Sequence, residues 1–293
     1  MHSLFDAVCE PRNLRAAWQK VRGSKIGAAR RRSAGSDGVT VADWDANAEA
    51  RLRALQDALQ LGHYRPAPLL WFEVPRHTPR HSVVSRDRSV QEFRQLGIPT
   101  VTDRVTQRAV LNVLEPLWET VFLPCSHGYR SGHSVFTAVE HILRHHAQGL
   151  TWILNADIAD YFNTVQHTVL LEMLGPLGDQ PLLNLISLWL AAEGADNAAA
   201  RPGRGLAQGA VLSPLLANIY LHPFDTAMLE AGWAMVRYAD DFVILTIDLA
   251  QAQQALVEAA NTLAELGLAL NSEKTTIVEF GPDFEFLGAR FCE

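Results

Sequence analysis

Two segments of this chain place carboxylates where they could share divalent cations. In Met235-Val236-Arg237-Tyr238-Ala239-Asp240-Asp241-Phe242-Val243-Ile244-Leu245, two β-prone runs flank a tight connection with adjacent aspartates at its tip. Hairpin tips favour glycine or asparagine, because the preferred turns need positive φ. This tip has neither, and it sets two like charges side by side. Such repulsion is tolerated where a divalent cation neutralises it. In the second segment, Ile153-Leu154-Asn155-Ala156-Asp157-Ile158-Ala159-Asp160-Tyr161-Phe162, an apolar run ends on Asp157. If that run is a strand beside the hairpin, three carboxylates meet at one sheet edge. That arrangement can hold two magnesium ions ~3.5–4 Å apart for phosphoryl transfer. Surface aspartates at a turn, with an unrelated strand-end aspartate, are the alternative that either segment alone leaves open.

The elements that must position these groups follow from periodicity and punctuation. Apolar spacing predicts helices over 4–21, 41–61, 103–119, 134–146, 181–192 and 249–266, the last ended by Gly267. Ser213-Pro214 reads as a helix start, with serine as N-cap and proline at the first helical position. Strands are expected at 152–158, on both sides of the 239–241 tip, and at 284–291. The Pro-, Arg-, His- and Ser-rich stretch 64–95 is expected to be extended strands and loops. Helices and strands mix without a β-α-β rhythm, so the fold class is α+β.

Composition sets the outer bounds. The chain has 293 residues, 48% hydrophobic and 19% charged, enough for one large core or two modest ones. The longest near-apolar stretches are too short to span a bilayer, and no signal peptide opens the chain, so no membrane partner is expected. Cys9, Cys125 and Cys292 fit neither a disulfide framework nor a metal knuckle, which suits a cytoplasmic protein. His141 and His145 lie at i, i+4 on one predicted helix, but nothing completes a zinc set. Net charge is −7, unevenly spread: residues 1–110 carry 18 Lys and Arg against 11 Asp and Glu, and 111–293 carry 7 against 21. A basic first third, with Arg30, Arg31 and Arg32 in one loop, suits a polyanion partner. A solvated surface of uneven charge would look the same.

The ordered motifs resemble bacterial group II intron-like reverse transcriptases, including their CRISPR-associated branch. Tyr238-Ala239-Asp240-Asp241 resembles the catalytic box of that family, and Asp157 to Phe162 its first catalytic motif. The run Gly205-Leu206-Ala207-Gln208-Gly209, continuing to Leu221, is similar to the Gln-Gly box. Arg94 to Arg104 is similar to the fingers motif, and Ser126 to Ser134 to the box after it. Gly267 to Lys274 resembles the lysine-bearing motif, Phe286-Leu287-Gly288 the primer-grip strand, and Gly35 to Thr40 the extra motif of the intron-related branch.

The resemblance implies a right-hand polymerase of fingers and palm, the palm an antiparallel sheet backed by helices. The chain ends shortly after the primer-grip strand, so a thumb is expected to be largely or wholly absent. Residues 1–65 would be a basic helical extension, 66–109 and 165–210 the fingers, and 110–164 and 211–293 the palm. Asp157, Asp240 and Asp241, with the Ile158 carbonyl, would bind two Mg2+ ions, with Mn2+ able to substitute. Phe162 would exclude a 2′-hydroxyl. Asp160 and Tyr161 would offer backbone N–H groups to the triphosphate, with Arg94 and Arg76 as its cationic contacts. Gln208 and Gly209 would lie near the incoming nucleotide, and Lys274 would protonate the leaving pyrophosphate. The partners implied are an RNA template, a DNA primer or product and dNTPs. A CRISPR spacer integrase, or another protein supplying thumb-like contacts, would join them. A phage-defence enzyme making untemplated or protein-primed DNA, or a non-catalytic nucleic-acid-binding subunit, are the rival functions.

Overall fold

The computed structural model describes residues 3–23, 33–75, 93–193 and 202–291. Arg76 and Arg30 to Arg32 lie outside them. The chain divides into two compact units, one of Met1–Leu117 and Leu171–Ser213, the other of Trp118–Leu170 and Pro214–Glu293. Among the described residues no helix is long and apolar enough to cross a membrane.

The first unit opens with helices where the apolar spacing suggests one continuous helix. The break is at Pro11: α1 (Leu4–Cys9) ends on Glu10, held extended at φ −58, ψ 132, and α2 (Pro11–Arg22) begins with the proline. A proline disfavours helical backbone at the residue before it yet suits a first turn. The expected 41–61 helix likewise splits at Asn47 into α3 (Val41–Asp45) and α4 (Ala48–Gln60). A hairpin follows, β1 (Leu70–Pro75) antiparallel to β2 (Phe93–Ile98), with Val74 opposite Arg94. Then come α5 (Val101–Glu119) and, later in the chain, α9 (Gln180–Glu193). Asp179 ties two of these helices together. Its Oδ1 accepts from Leu182 N at 3.1 Å, capping α9, and its Oδ2 accepts from Phe5 N at 2.9 Å. In the interior, Asp103 accepts from the Tyr64 hydroxyl at 2.5 Å and Thr100 Oγ1 at 2.7 Å, so a buried carboxylate is satisfied.

The second unit is built on a four-stranded sheet of order β4-β5-β3-β6, antiparallel throughout. The strands are β3 (Trp152–Asp157), β4 (Ala234–Tyr238), β5 (Asp241–Thr246) and β6 (Thr276–Glu279). β5 is apolar at every position from Phe242 to Leu245 because both of its faces are covered. Val243 and Leu245, with Ile153 and Val236, pack on Ala138 and Ile142 of α6 (Val135–His146) and on Phe284, Phe286 and Phe291. Phe242 points to the opposite face and meets Phe224 of α10 (Ser213–Glu230), with ring centroids 5.1 Å apart. α11 (Leu249–Glu265), capped by Asp248, also packs on β3 and β5. Short α7 (Tyr161–Thr164) and α8 (His167–Leu174) follow β3.

Two further details differ from the sequence expectation. The last strand is a hairpin, β7 (Glu285–Phe286) and β8 (Ala289–Arg290), because Leu287 and Gly288 both take positive φ, 53° and 79°. That is the turn geometry that joins adjacent antiparallel strands. Ser213 does not cap α10: it is the first helical residue, and its buried hydroxyl has no hydrogen-bond partner among the described residues.

Candidate active site

The carboxylates belong to the second unit, and strand register brings them together. Asp157 ends β3 directly opposite Asp241, the first residue of β5. Directly opposed residues of an antiparallel pair project from the same face, where like charges are destabilising. Tyr238 pairs with Asp241, so Ala239 and Asp240 form a two-residue turn. Ala239 takes φ 59°, the glycine-like position of that turn, without being glycine. The backbone of the first catalytic segment is fastened to the same turn: Ile158 N donates to the Asp240 carbonyl at 3.2 Å.

The electrostatics follow from this crowding. Burial, then the Asp240 carboxylate, then that of Asp157, push the Asp241 carboxyl up to about 7. Lys274 works the other way. Its Nζ lies 3.0 Å from Asp157 Oδ2, which also accepts from Asn271 Nδ2 at 3.1 Å. The Asn271 N–H donates to the Asp157 carbonyl at 2.8 Å, and Ile158 bridges Leu270, so the lysine-bearing segment is stitched to the end of β3. Among the described residues no three His, Cys, Asp or Glu side chains gather round one point. The donor set nonetheless suits magnesium, which is commonly held by one or two carboxylates and completes its shell with substrate phosphates and water. A carboxyl forced upward by two anionic neighbours is also the group a cation would relieve.

Phe162 is only 8% exposed and lies between two aromatic edges, Tyr161 at 5.6 Å and Tyr129 at 6.4 Å. Tyr161 is fixed by its hydroxyl, which donates to the Ala217 carbonyl at 2.5 Å. Asp160 precedes α7 at φ 48° and accepts from Asn163 Nδ2 at 2.7 Å. Arg94, Gln208 and Gly209 belong to the first unit. Arg94 is exposed on β2. There the Gln208 carbonyl accepts from Gly97 N at 2.8 Å. Gly209, at φ 108°, leaves no room for a side chain, since a Cβ would fall 2.8 Å from the Gly97 carbonyl oxygen.

Sequence reasoning missed Arg237. It is fully buried beneath the turn, with every guanidinium N–H engaged. Nε and Nη2 hold Asp225 at 2.6 and 2.5 Å, Nη2 also reaches Ser126 Oγ at 2.8 Å, and Nη1 reaches Asn218 Oδ1 at 3.1 Å and the Ala239 carbonyl at 2.9 Å. Asn218 in turn donates to the Gly128 carbonyl at 2.8 Å. The available signal was an arginine inside an otherwise apolar strand, with an aspartate inside a mostly apolar helix.

The histidines also cluster. His127 Nδ1 lies 3.0 Å from Thr137 Oγ1 and its Nε2 3.1 Å from His141 Nδ1, while His145 stacks on His141 at 4.7 Å. Burial pushes both His127 and His141 down from 6.5 to about 4, reinforced by neighbouring histidines and arginines. The unfolded chain therefore binds more protons between those values, so stability falls as pH drops from 6.5 towards 4. Urea titrations across that range should show it, and His127→Gln with His141→Gln should flatten the slope. An unchanged slope in the double variant would assign the acid sensitivity elsewhere.

Comparison with known proteins bears on what this geometry serves. Residues 82–291 match the family Reverse transcriptase (RNA-dependent DNA polymerase). Protein YkfC of Escherichia coli strain K12 is 32% identical, over 87% of this chain and 75% of its own length. Group II intron-encoded protein LtrA of Lactococcus lactis subsp. cremoris is 34% identical over 64% of this chain, which spans only 29% of that relative. Telomerase from Candida albicans, solved with a fragment of telomeric RNA, superposes with a TM-score of 0.55 over 85% of this chain and 48% of its own. At 15% identity that likeness concerns the fold alone. Fold, motif order and kinship agree, and the chain belongs to the reverse transcriptase family of RNA-dependent DNA polymerases, in its group II intron-like branch.

Proposed function

We propose that this chain extends a primer 3′-hydroxyl with deoxynucleoside triphosphates copied from an RNA template, releasing pyrophosphate. The observation that carries the reading is the direct opposition of Asp157 and Asp241 at the end of the sheet, beside Asp240. Asp157, Asp240 and Asp241, with the Ile158 carbonyl, would hold two magnesium ions, for which manganese could stand in. When bound, the ions supply charge neutralisation at the phosphate oxygens and lower the pKa of the attacking hydroxyl. Phe162 excludes ribonucleotides, and the N–H groups of Asp160 and Tyr161 face the triphosphate. Arg94, Arg76, Gln208 and Gly209 contact the nucleotide. Lys274, 3.0 Å from Asp157, is a cation within the site that can give its proton to the leaving group. Residues 66–109 and 165–210 serve as fingers and 110–164 and 211–293 as palm, behind a basic 1–65 extension. We place the activity in a retroelement or in spacer acquisition beside a CRISPR integrase, and the genes adjacent to its own decide which.

The test is incorporation of dTTP on poly(rA)/oligo(dT), which should require magnesium, stop with EDTA and be specific for the templated base. Absence of templated incorporation by a folded preparation refutes the reading. A second measurement needs no turnover. Asp241 takes up a proton more readily folded, at about 7, than at the ordinary 3.8. The stability this contributes is present at low pH and is lost as pH rises through 7. Magnesium displaces that proton, so it should raise Tm more at pH 8 than at pH 6. An equal shift at both values would detach the ion from Asp241.

A further inference from the structure

Tyr129 combines three features that packing alone does not require. It is a bulky residue at φ 61°, where non-glycine residues are uncommon and an aromatic is an outlier. The residue is 49% exposed. The ring meets Phe162 edge to face, at 6.4 Å and 89°. The backbone is held in this conformation from both sides. Before it, His127 N donates to the Arg237 carbonyl at 2.8 Å, and Gly128 lies so close to the turn that a Cβ would sit 2.3 Å from Ala239 N. After it, Arg130 is anchored by Glu119 and by the Leu123 and Ser126 carbonyls at 2.8 Å. A strained residue fixed between two such anchors, next to a reactive turn, is the pattern expected where strain serves a function.

We propose that Tyr129 is a positioning residue for sugar selection, holding the Phe162 ring where it collides with the 2′-hydroxyl of a ribonucleoside triphosphate. This rests on the polymerase reading and on Phe162 as the excluding side chain. Tyr161 fixes Phe162 from within the core, being itself 2% exposed. Tyr129, 49% exposed, is the more solvent-accessible of the two rings that meet Phe162 edge to face. The tyrosine therefore acts on ribonucleotides through the ring it confines.

The experiment measures kcat and KM for dATP and ATP on poly(rU)/oligo(dA), using the full chain. Tyr129→Asn removes the ring while keeping a residue that tolerates positive φ, and Tyr129→Phe keeps the ring. Phe162→Ala is the reference. Tyr129→Asn should lower the dATP-to-ATP preference in kcat/KM by about two- to tenfold, the range an edge-to-face aromatic pair spans. The change should lie in KM for ATP, Tyr129→Phe should keep the wild-type ratio, and Phe162→Ala should relax it further. If Tyr129→Asn melts too low for kinetics, Tyr129→Gly, which removes strain and ring together, answers the same question. An unchanged ratio in the ring-deleted variant, with Phe162→Ala relaxed, overturns the proposal and leaves the gate standing. An unchanged ratio in Phe162→Ala overturns gate and proposal together. Wild-type dATP incorporation reports on the polymerase reading independently of both.

Discussion

Asp240→Asn is expected to lose at least about 10²–10³-fold in dNTP incorporation, the loss typical when one preorganised charge-stabilising partner is removed. Its metal-free melting temperature at pH 8 is expected to be no lower than that of the wild type. The two halves have one cause. Asp240 is the stronger of the two anionic neighbours that, after burial itself, push the Asp241 carboxyl up to about 7. Asparagine keeps the shape of the turn and removes that repulsion, so ionising Asp241 at pH 8 is less costly. A site assembled for a cation is destabilised without it, and neutralising one ligand trades function for stability. Paired melting curves and incorporation assays on the same preparation check both halves. Retention of more than about a tenth of the activity would remove Asp240 from the site. A marked drop in Tm with activity lost would show that its carboxylate also holds the turn.

What the sequence disclosed and what it withheld divide along the range of the interactions. The Ala239-Asp240 turn was legible because two apolar runs flank it, and β5 is recognisable from Phe242 to Leu245 alone. The sequence supports only a meeting of the carboxylates at one sheet edge; that Asp157 stands opposite Asp241 comes from the register, since pairing across more than eighty positions leaves no local trace. The helix break at Pro11 was local and readable, yet the apolar stripe of Leu14, Ala17 and Trp18 dominated the expectation. Ser213 shows the reverse error. A serine-proline pair has the composition of a helix start, but burial of the hydroxyl decided its role. Tyr129 and Arg237 were the least legible of all. A positive φ on an aromatic, or five N–H donors saturated by four residues, exists only once distant segments are in place.

Arg237→Ala is the substitution expected to damage the second unit most. The side chains of Arg237 and Asp225 are both fully buried, with Nη2 and Oδ2 2.5 Å apart. Removing the arginine strands a buried carboxylate, a loss on the order of 3–5 kcal/mol. Arg237→Lys keeps the charge, but its three donors cannot reproduce a planar five-bond fork, so it should be destabilised as well. Replacing both partners separates stability from function. A well-packed apolar pair in place of a buried ion pair is often neutral or better, so Arg237→Met with Asp225→Leu should recover most of the melting temperature. It should not recover activity. The guanidinium also donates to the Ala239 carbonyl at 2.9 Å and to Ser126 Oγ at 2.8 Å, and methionine offers neither bond. Without the first the Ala239 carbonyl loses its guanidinium donor, and the turn that carries Asp240 is held less firmly. The measurement is Tm against kcat for the single and double variants, with the Mg2+-induced Tm shift at pH 8 as a readout of the carboxylates themselves. Full activity in the stabilised double variant would reduce the network to core filling. A restored melting temperature with weak magnesium response and low kcat would identify Arg237 as the group that aims the catalytic turn.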